Sequence, residues 1–253
     1  MDTMEERRNA IVSFVNEKGN VTFSQLKLAF PDVSEMTLRT DLKSLDAENR
    51  IVRVHGGAKS VEIVLGTDDL LGRRSVRNVE AKQEIVRKAL KYIRPNTTVF
   101  LDSGSTTTML AENWPDQPNF IFTNSLTCAM ALSKLKKPKV FMPSGELNEY
   151  SLSLCGLETL ESLKKICFDT VFIGITSYDT VNGLSCGVLA ETQMKRMLLE
   201  QQAEKIVLLD TSKVGKKSTF KIDGLENVDV IITENPENDI LKQDCMDSET
   251  ELV

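Results

Sequence analysis

The run from Asp102 to Thr107, Asp-Ser-Gly-Ser-Thr-Thr, is the segment of the sequence best suited to bind an anion. It follows the short apolar run Val99–Leu101 and precedes a helical pattern, which is typical of a strand-to-helix turn. Such a turn offers backbone N–H groups, hydroxyls and the positive end of a helix to a phosphate. A tight turn with one capping hydroxyl would use the same residue types, so the motif alone leaves both interpretations open.

Other polar motifs follow further apolar runs along the chain. They are Thr123-Asn124-Ser125, Ser144-Gly145, Gly174-Ile175-Thr176 and Asp210-Thr211-Ser212-Lys213. Because ligands of parallel sheets bind beyond the carboxyl ends of the strands, we predict that these motifs meet at one effector site. The predicted effector-binding residues are Asp102, Ser103, Gly104, Ser105, Thr106, Thr107, Asn124, Ser125, Glu191, Lys195 and Lys213.

The charged residues of this set have chemistry that complements a phosphorylated sugar. Lys213, and Lys195 four residues after Glu191 in a helical pattern, would supply counter-charge and contacts to sugar hydroxyls. Glu191 and Lys195 lie four residues apart in a helical pattern, so a solvent-exposed i,i+4 ion pair also explains them. Both interpretations stay open from the sequence.

Six short apolar runs alternate with helical patterns in the second part of the chain. Because the runs do not alternate polar and apolar residues, they are typical of strands buried on both faces. We predict a mostly parallel α/β sheet with right-handed crossovers. The runs are Val99–Leu101, Phe120–Phe122, Val140–Met142, Val171–Ile173, Ile206–Leu209 and Val230–Ile232, with helices predicted over Ser125–Leu135 and Ala190–Gln202.

Residues 4–58 have the pattern of three short helices and a β-turn-β flap. The first helix is predicted over Met4–Lys18, and Thr22 begins the second helix with a capping box. Ser34 caps the third helix, and the strand Ile51–Val54 turns at the following Gly-Gly pair. This order predicts a winged helix-turn-helix.

The third helix of such a unit presents its off-core face to the DNA major groove. The apolar stripe of that helix is Leu38, Leu42 and Leu45. The predicted DNA-binding residues are Ser34, Thr37, Arg39, Thr40 and Lys43 on the helix, and Arg53, His55 and Gly56 on the flap. Arg39 is expected to bind a guanine edge. Because winged helices also mediate protein contacts, a protein-docking role stays open.

The composition excludes several classes of function. With 31 basic and 37 acidic residues, the net charge of −6 argues against a general polyanion binder. The single histidine, His55, excludes Ser-His-Asp and Cys-His catalysis. Five widely spaced cysteines with no CxxC pair exclude a thiolate zinc site, so we expect no metal and no cofactor.

The same features predict the compartment and the domains. The odd number of cysteines suits reduced thiols, and we find neither a signal-peptide pattern nor a membrane-spanning apolar run, so we expect a cytoplasmic protein. We predict a winged helix-turn-helix domain over residues 1–58, a linker over 59–76 and an α/β effector domain over 77–253. The acidic tail after Asn238 is expected to be a solvated terminus.

The first half of the chain resembles the DNA-binding signature of the DeoR-type bacterial transcriptional regulators. The resemblance rests on the run Val33–Leu42, on Leu45 and on Ile51–Ala58. Two departures are visible, because Pro31-Asp32 lengthens the turn by one residue and Thr40 stands where a second arginine is common. The resemblance implies binding to operator DNA.

The second half resembles the DeoR-type effector domain, whose fold is similar to that of ribose-5-phosphate isomerase. The matching positions are Arg74, Asn78, Lys82, Asp102–Thr107, Thr123–Ser125, Phe172–Gly174, Glu191, Lys195, Asp210, Ser212 and Lys213. Ser144-Gly145 and the loop from Ile175 to Ser177 depart from the usual pattern. The resemblance implies a phosphorylated sugar as inducer or corepressor.

An active sugar-phosphate isomerase is the alternative function. Proton abstraction beside a carbonyl needs a carboxylate base and a group that polarises the oxygen, for which Glu191 and Lys195 are candidates. The loop from Thr176 to Tyr178 lacks the acidic residues of those isomerases, so we expect a regulator and not an enzyme. We expect a repressor of carbohydrate genes, acting as a homodimer or homotetramer.

Overall fold

Short capped helices form the first part of the described chain. The computed structural model describes residues 4–18, 20–48, 50–60 and 71–253. The helices are α1 (Met4–Lys18), α2 (Phe23–Ala29) and α3 (Glu35–Ala47), and the strands are β1 (Asn20–Thr22), β2 (Val52–Val54) and β3 (Gly57–Lys59). The predicted helices and the predicted flap are confirmed.

The predicted caps begin the second and third helices. The Thr22 hydroxyl accepts a hydrogen bond from the Gln25 backbone N–H at 3.2 Å, and Gln25 Oε1 accepts one from the Thr22 N–H at 2.8 Å. The Ser34 hydroxyl accepts the Thr37 N–H at 3.1 Å. Each cap satisfies a donor that would otherwise lack a partner in the first helical turn.

The antiparallel sheet has one strand that the sequence does not predict. Its order is β1-β3-β2, with Thr22 opposite Gly57. β1 has only three residues, and its last residue caps α2, so no alternating pattern marks it. A Cβ atom at Gly57 would lie 2.1 Å from the Val21 carbonyl oxygen, so only glycine permits this strand pairing.

A buried carboxylate joins α1 to α3. Asp41 is 2 % exposed and lies in the same stripe as Leu38, Leu42 and Leu45. Arg7 Nε donates to Asp41 Oδ2 at 2.7 Å, and Arg8 Nε donates to Asp41 Oδ1 at 3.1 Å. Because both carboxylate oxygens bind a guanidinium, the charge of Asp41 is compensated inside the helical core.

A seven-stranded parallel sheet forms the centre of the second part. Its order is β15-β14-β12-β9-β4-β5-β6. All six predicted strands belong to it, which confirms the predicted α/β fold. The strands are β4 (Thr98–Leu101), β5 (Phe120–Thr123), β6 (Lys139–Phe141), β9 (Thr170–Gly174), β12 (Glu204–Leu208), β14 (Val230–Ile232) and β15 (Glu251–Leu252).

Helices cover both faces of this sheet. One apolar core contains side chains of α5, α6 and α7 against Val99 and Leu101. The other contains side chains of α8, α9 and α10 against Phe100 and Ile173. The helices are α4 (Leu71–Ser75), α5 (Val79–Ala89), α6 (Ser105–Glu112), α7 (Leu126–Leu132), α8 (Leu157–Leu163), α9 (Leu189–Leu199) and α10 (Asp239–Asp247).

Two smaller sheets stand beside the parallel sheet, and the sequence analysis does not predict either. They are the hairpin of β7 (Glu146–Asn148) with β8 (Ser153–Cys155), and the antiparallel sheet of β10 (Ser177–Asp179), β11 (Gly183–Cys186) and β13 (Phe220–Asp223). The strands are short and polar, so their sequences resemble loops.

The expectation of a solvated tail after Asn238 is wrong. Asn238 caps α10 by accepting the Leu241 N–H at 3.1 Å, and Leu241 and Cys245 are buried. The chain then pairs with β14 as the edge strand β15. The acidic composition of the tail hides this pattern, because Asp239 and Asp247 are exposed on α10 while Leu241 and Cys245, four positions apart, face the core.

The chain divides into two compact units, Met1–Thr67 and Asp68–Val253. Within the predicted linker, Lys59 belongs to β3 and Leu71–Ser75 forms α4, whereas residues 61–70 lie outside the described residues. The predicted domain boundaries at residues 58 and 76 therefore stay predictions. In the described part of the chain, the structure contains no helix with the length and apolar character to cross a membrane.

Replacing Asp41 by alanine is expected to destabilise the helical unit by about 2 to 3 kcal/mol, because two arginines lose a buried carboxylate partner. Hydrogen exchange of the α1 and α3 amides in the full chain measures this loss. The matched control is Asp32→Ala, which removes an exposed aspartate. Unchanged protection of α3 in the Asp41 variant would contradict the assignment.

Candidate functional site

Two surfaces gather the residues predicted to act. The first lies on α3 and on the flap between β2 and β3. Arg39 and Lys43 are exposed on the outer face of α3, as the sequence predicts. The Arg39 guanidinium carbon lies 4.1 Å from the centre of the Phe23 ring, and this cation–π contact orients the side chain.

Three predicted hydroxyl residues on α3 already make internal hydrogen bonds. Ser34 caps the helix and also shares a 2.8 Å bond with the Thr37 hydroxyl. The Thr40 hydroxyl donates to the Met36 carbonyl at 2.9 Å. Their first role is to shape the start of α3, and Arg39 and Lys43 are the exposed cations on this face of the helix.

The flap brings its predicted residues close to those of α3. Arg53, His55 and Gly56 are exposed, and Arg53 lines a shallow groove together with Arg39 and Gly56. The Arg53 N–H donates to Asp46 Oδ1 at 2.9 Å, which anchors the start of the flap to the end of α3. Helix and flap thus form one surface with two arginines across a groove.

Met36 is a candidate contact that the sequence analysis misses. Its side chain is 74 % exposed, which is unusual for a large apolar residue. One stripe of α3 contains four residues at helical spacing, which are Met36, Arg39, Thr40 and Lys43. An exposed apolar side chain beside these residues suits the methyl group of a thymine. The i, i+3, i+4 spacing from Met36 to Arg39 and Thr40 is the signal that identifies it.

The second surface lies where the order of the parallel strands reverses. The chain continues from β4 to β5 and β6 on one side, whereas β9, β12 and β14 lie on the other. The loops after β4 and β9 therefore border the crevice where ligands of open α/β sheets bind. The predicted run from Asp102 to Thr107 follows β4, and Gly174 ends β9.

The loop after β4 ends in an uncapped helix. Gly104 is the N-cap of α6 with φ +151°, and no side chain caps this helix end. A Cβ atom at Gly104 would meet only the Thr107 hydroxyl, at 3.4 Å. The Thr107 hydroxyl donates to the Gly104 carbonyl, so it fixes the turn. The first-turn N–H groups of Ser105, Thr106 and Thr107 form the type of end that binds anions.

Asp102 and Lys195 form a buried ion pair in the crevice. Lys195 Nζ donates to Asp102 Oδ2 and, at 2.9 Å, to the Gly174 carbonyl. The Gly174 N–H donates to the same carboxylate oxygen at 3.0 Å. Burial raises the pKa of Asp102, although Lys195 opposes this shift. Burial opposes the charge of Lys195, yet the nearby Asp102 leaves the pKa of Lys195 raised.

The alternative of a solvent-exposed ion pair between Glu191 and Lys195 is wrong. Both side chains are buried, at 7 % and 2 % exposure, because this face of α9 packs against the sheet. Glu191 Oε1 instead accepts hydrogen bonds from Ser151 at 2.6 Å, Ser153 at 3.3 Å and Asn148 at 3.4 Å. Glu191 and Lys195 therefore bond to groups distant in the sequence and not to each other.

Two buried oxygen atoms near this pair lack a donor. Asp102 Oδ1 and Asn124 Oδ1 belong to fully buried residues, and neither has a hydrogen-bond partner among the residues that the structure describes. A buried acceptor without a partner costs about 1 to 3 kcal/mol. Such acceptors suit a ligand that carries hydroxyl donors. The neighbouring Ser125 caps α7 by accepting the Cys128 N–H at 3.2 Å.

A cluster of cations surrounds Asp210 beyond the end of β12. Lys213 Nζ lies 3.3 Å from Asp210 Oδ2, and Asn78 Nδ2 donates to Asp210 Oδ1 at 3.2 Å. Lys82 Nζ donates to the Arg74 carbonyl at 2.5 Å. Burial lowers the pKa of Lys82 to about 8, against the attraction of Asp210 and with help from nearby Lys213 and Arg74. Lys82, Lys213 and Arg74 together carry more positive charge than Asp210 neutralises.

Helix packing connects the cation cluster to the uncapped helix. The helices α4 and α5, which carry Arg74 and Lys82, both pack against α6. Arg74 Nε is buried and has no hydrogen-bond partner within the described ranges. The arrangement combines an excess of positive charge with open N–H donors, and both features suit a dianionic ligand.

The predicted effector residues therefore have different surroundings. Asp102 and Lys195 contact each other, Glu191 contacts the β7–β8 hairpin, and Lys213 contacts Asp210. Ser103 and Thr106 are buried in the loop, and Ser105 is half-buried at the helix start. Among the described residues, no group of His, Cys, Asp and Glu side chains is arranged to hold a metal ion.

Comparison with known families supports the division into two functional parts. A family described as "DeoR-like helix-turn-helix domain" matches residues 7–64. A second family, described as "DeoR C terminal sensor domain", matches residues 77–235. Together the two matches cover most of the chain and confirm the resemblance identified from the sequence.

Curated relatives match along nearly their whole length. The HTH-type transcriptional regulator GolR of Listeria innocua is 30% identical over 96% of this chain and 95% of its own. The glycerol-3-phosphate regulon repressor of Escherichia coli K12 is 28% identical over 91% of both chains. The lactose phosphotransferase system repressor of Streptococcus mutans is 28% identical over 98% of both chains.

Solved structures with a similar fold are more distant. Ribose 5-phosphate isomerase A from Methanocaldococcus jannaschii aligns with a TM-score of 0.40 and 19% identity, over 54% of this chain and 55% of its own. A likeness at this distance carries no argument about activity or ligand.

Replacing Arg39 by alanine is expected to weaken sequence-specific DNA binding about tenfold to a hundredfold, the range of one lost bidentate base contact. The melting temperature should stay nearly unchanged, because Arg39 is exposed. Fluorescence anisotropy on a duplex selected by the wild-type protein from a random library measures the effect. The control Arg39→Lys keeps the charge without the planar fork and should bind with intermediate affinity. Full affinity of the alanine variant would contradict the groove assignment.

Proposed function

Because this chain belongs to the DeoR family of helix-turn-helix transcriptional regulators, we propose that it represses carbohydrate-metabolism genes under the control of a phosphorylated sugar. The observation that carries the effector assignment is the uncapped start of α6, a helix that packs against α4 and α5, which carry Arg74 and Lys82. Two of the relatives are named as repressors of a glycerol-3-phosphate regulon and of a lactose phosphotransferase system, and these names support the same class of target genes.

The phosphate group is proposed to bind the N–H groups at the start of α6. Arg74, Lys82 and Lys213 supply the positive charge, because Lys195 is already neutralised by Asp102. The sugar hydroxyls then extend into the crevice and donate to Asp102 Oδ1 and Asn124 Oδ1, buried acceptors that have no donor among the described residues. This pose satisfies both the charge and the hydrogen bonds of the site.

Operator binding is proposed to involve the α3 stripe and the flap. Arg39 and Met36 contact base edges, while Lys43, Arg53 and His55 contact the backbone, and Ser34, Thr37, Thr40 and Gly56 shape the contact surface. The first 60 residues contain nine basic and nine acidic residues, so non-specific attraction to DNA is weak. A homodimer or homotetramer with half-sites about 34 Å apart would supply the missing affinity.

We propose that the effector acts by linkage and not by catalysis. The effector binds one arrangement of the assembled subunits better than another, and this difference changes the affinity for DNA. Lys195, the group that would polarise the carbonyl oxygen in an isomerase, is already paired with Asp102. The protein should therefore release no isomerised product from pentose or hexose phosphates. We place this activity in the cytoplasm, and the five cysteines are free thiols.

A thermal-shift panel tests the effector class. Glucose 6-phosphate, ribose 5-phosphate and glycerol 3-phosphate are compared with glucose, ribose and inorganic phosphate. At least one phosphorylated sugar should raise the melting temperature more than inorganic phosphate, whereas the free sugars should leave it unchanged. Gly104→Glu should abolish the shift and retain DNA binding, because a carboxylate would occupy the anion site at a backbone position with φ +151°.

The matched control for this variant is Gly156→Glu. Gly156 is also the N-cap of a helix, α8, has φ +103° and has open space around it. The control carries the same backbone strain and the same added charge, and it should keep the shift. A Gly104→Glu protein that still responds to the effector would place the phosphate elsewhere.

Effector affinity should fall as the pH rises from 7 to 9. The pKa of Lys82 is lowered to about 8, so Lys82 loses its proton in this interval. The phosphate monoester is already a dianion above its second pKa of about 6, so the ligand itself does not titrate here. Affinity should decrease about fivefold, because the complex favours the protonated lysine.

Isothermal titration at several pH values measures this dependence. Lys82→Met should bind weakly at every pH and lose the step near pH 8. The wild-type protein would contradict the assignment if its affinity were constant from pH 7 to 9.

A further inference from the structure

The β7–β8 hairpin lies outside the parallel sheet and contacts α8, α9 and the loop after β5. It forms a sheet of only two strands, and such a hairpin is marginally stable by itself. Its apolar side chains Leu147, Tyr150 and Leu152 are 49%, 49% and 37% exposed, so they contribute little burial. The polar contacts of the hairpin therefore decide where it lies.

Glu191 supplies the main polar anchor. Its Oε1 atom accepts hydrogen bonds from Ser151, Ser153 and Asn148 of the hairpin. The two serine hydroxyls also share a 2.7 Å hydrogen bond, and both serines are buried. Hydrogen bonds to a carboxylate are roughly twice as strong as neutral ones, so this anchor dominates the others.

The hairpin also contacts the loop that contributes Asn124 to the proposed site. The Leu154 N–H donates to the Asn124 carbonyl at 2.7 Å, and the Leu126 N–H donates to the Leu152 carbonyl at 2.9 Å. Asn124 Nδ2 donates to the Leu154 carbonyl at 3.3 Å. Asn124 thus uses its amide nitrogen on the hairpin, while its amide oxygen has no donor among the described residues.

The other end of the hairpin holds the first helix of the second unit. The Leu71 N–H donates to the Tyr150 carbonyl at 2.8 Å, and Leu71 is 4% exposed. Leu71 begins α4, which also carries Arg74. α4 is the first helix that the structure describes after residue 60.

We propose that the hairpin is a strap that transmits effector binding from Glu191 to α4. Hydroxyls of the bound sugar compete with Ser151 and Ser153 for the Glu191 carboxylate. The strap then loosens, the hydrogen bond from Leu71 to Tyr150 opens, and α4 is free to move. Glu191 is a positioning residue in this scheme, and the inference rests on the proposed effector site for its ligand.

Hydrogen exchange of the full-length protein tests the strap without any ligand. The double variant Ser151→Ala/Ser153→Ala removes both hydroxyl donors and leaves Glu191 in place. Exchange in peptides that contain Leu71 and Leu154 should become at least tenfold faster, while peptides from β4 and α3 should be unchanged. The single variant Ser151→Ala, which removes only the 2.6 Å bond, should show a smaller increase of the same kind.

The matched control for the single variant is Ser133→Ala, which removes one exposed hydroxyl with a local partner. It should leave the exchange at Leu71 unchanged. A strap variant with wild-type exchange at Leu71 would overturn the proposal. Exchange that accelerates throughout the second unit would also overturn it, because the serines would then only stabilise the fold.

A second readout separates transmission from effector binding. A sugar phosphate that raises the wild-type melting temperature should accelerate exchange at Leu71, whereas inorganic phosphate should not. In the double variant the same sugar phosphate should still raise the melting temperature. Exchange at Leu71, however, should already be fast in the ligand-free double variant. If no sugar phosphate of the panel binds the wild-type protein, the proposed function fails, and the ligand-free exchange still decides whether the strap holds α4.

Discussion

The buried ion pair between Asp102 and Lys195 is the interaction on which the second unit's site depends. It joins the ends of β4 and β9 to α9 at the point where the strand order reverses. Separating such a pair costs about 3 to 5 kcal/mol, several times the net value of one neutral hydrogen bond. Lys195 therefore stays with Asp102, so Arg74, Lys82 and Lys213 are the cations that we propose to bind a phosphate. The pair uses one oxygen of Asp102, and the other has no hydrogen-bond partner among the described residues.

Two features of the proposed site converge on α4. Lys82 Nζ donates to the Arg74 carbonyl, and the Leu71 N–H donates to the Tyr150 carbonyl of the hairpin. We propose that a ligand with a dianion and several hydroxyls contacts both features, whereas phosphate alone contacts only the first. In this proposal the two features together distinguish a phosphorylated sugar from free phosphate.

The sequence predicts features that depend on neighbouring residues and misses those that depend on distant ones. Thr22 and Ser34 cap their helices through residues three positions away, and the six parallel strands are continuous apolar runs, so local patterns suffice. Helical spacing alone pairs Lys195 with Glu191, but its partner Asp102 lies 93 positions away and is selected by the packing of α9 on the sheet. Asp41 has a local signal, because an acid within the stripe of Leu38 and Leu42 needs a buried cation, yet only the structure identifies Arg7 and Arg8. The hairpin and the last strand are too short to show a pattern.

A crystal structure of the protein with a bound sugar phosphate would show directly whether the start of α6 binds the phosphate. We expect phosphate oxygens about 3 Å from the backbone nitrogens at the start of α6, and a sugar hydroxyl that donates to Asp102 Oδ1. A ligand bound outside the crevice between the ends of β4 and β9, with the start of α6 covered by protein side chains, would contradict it.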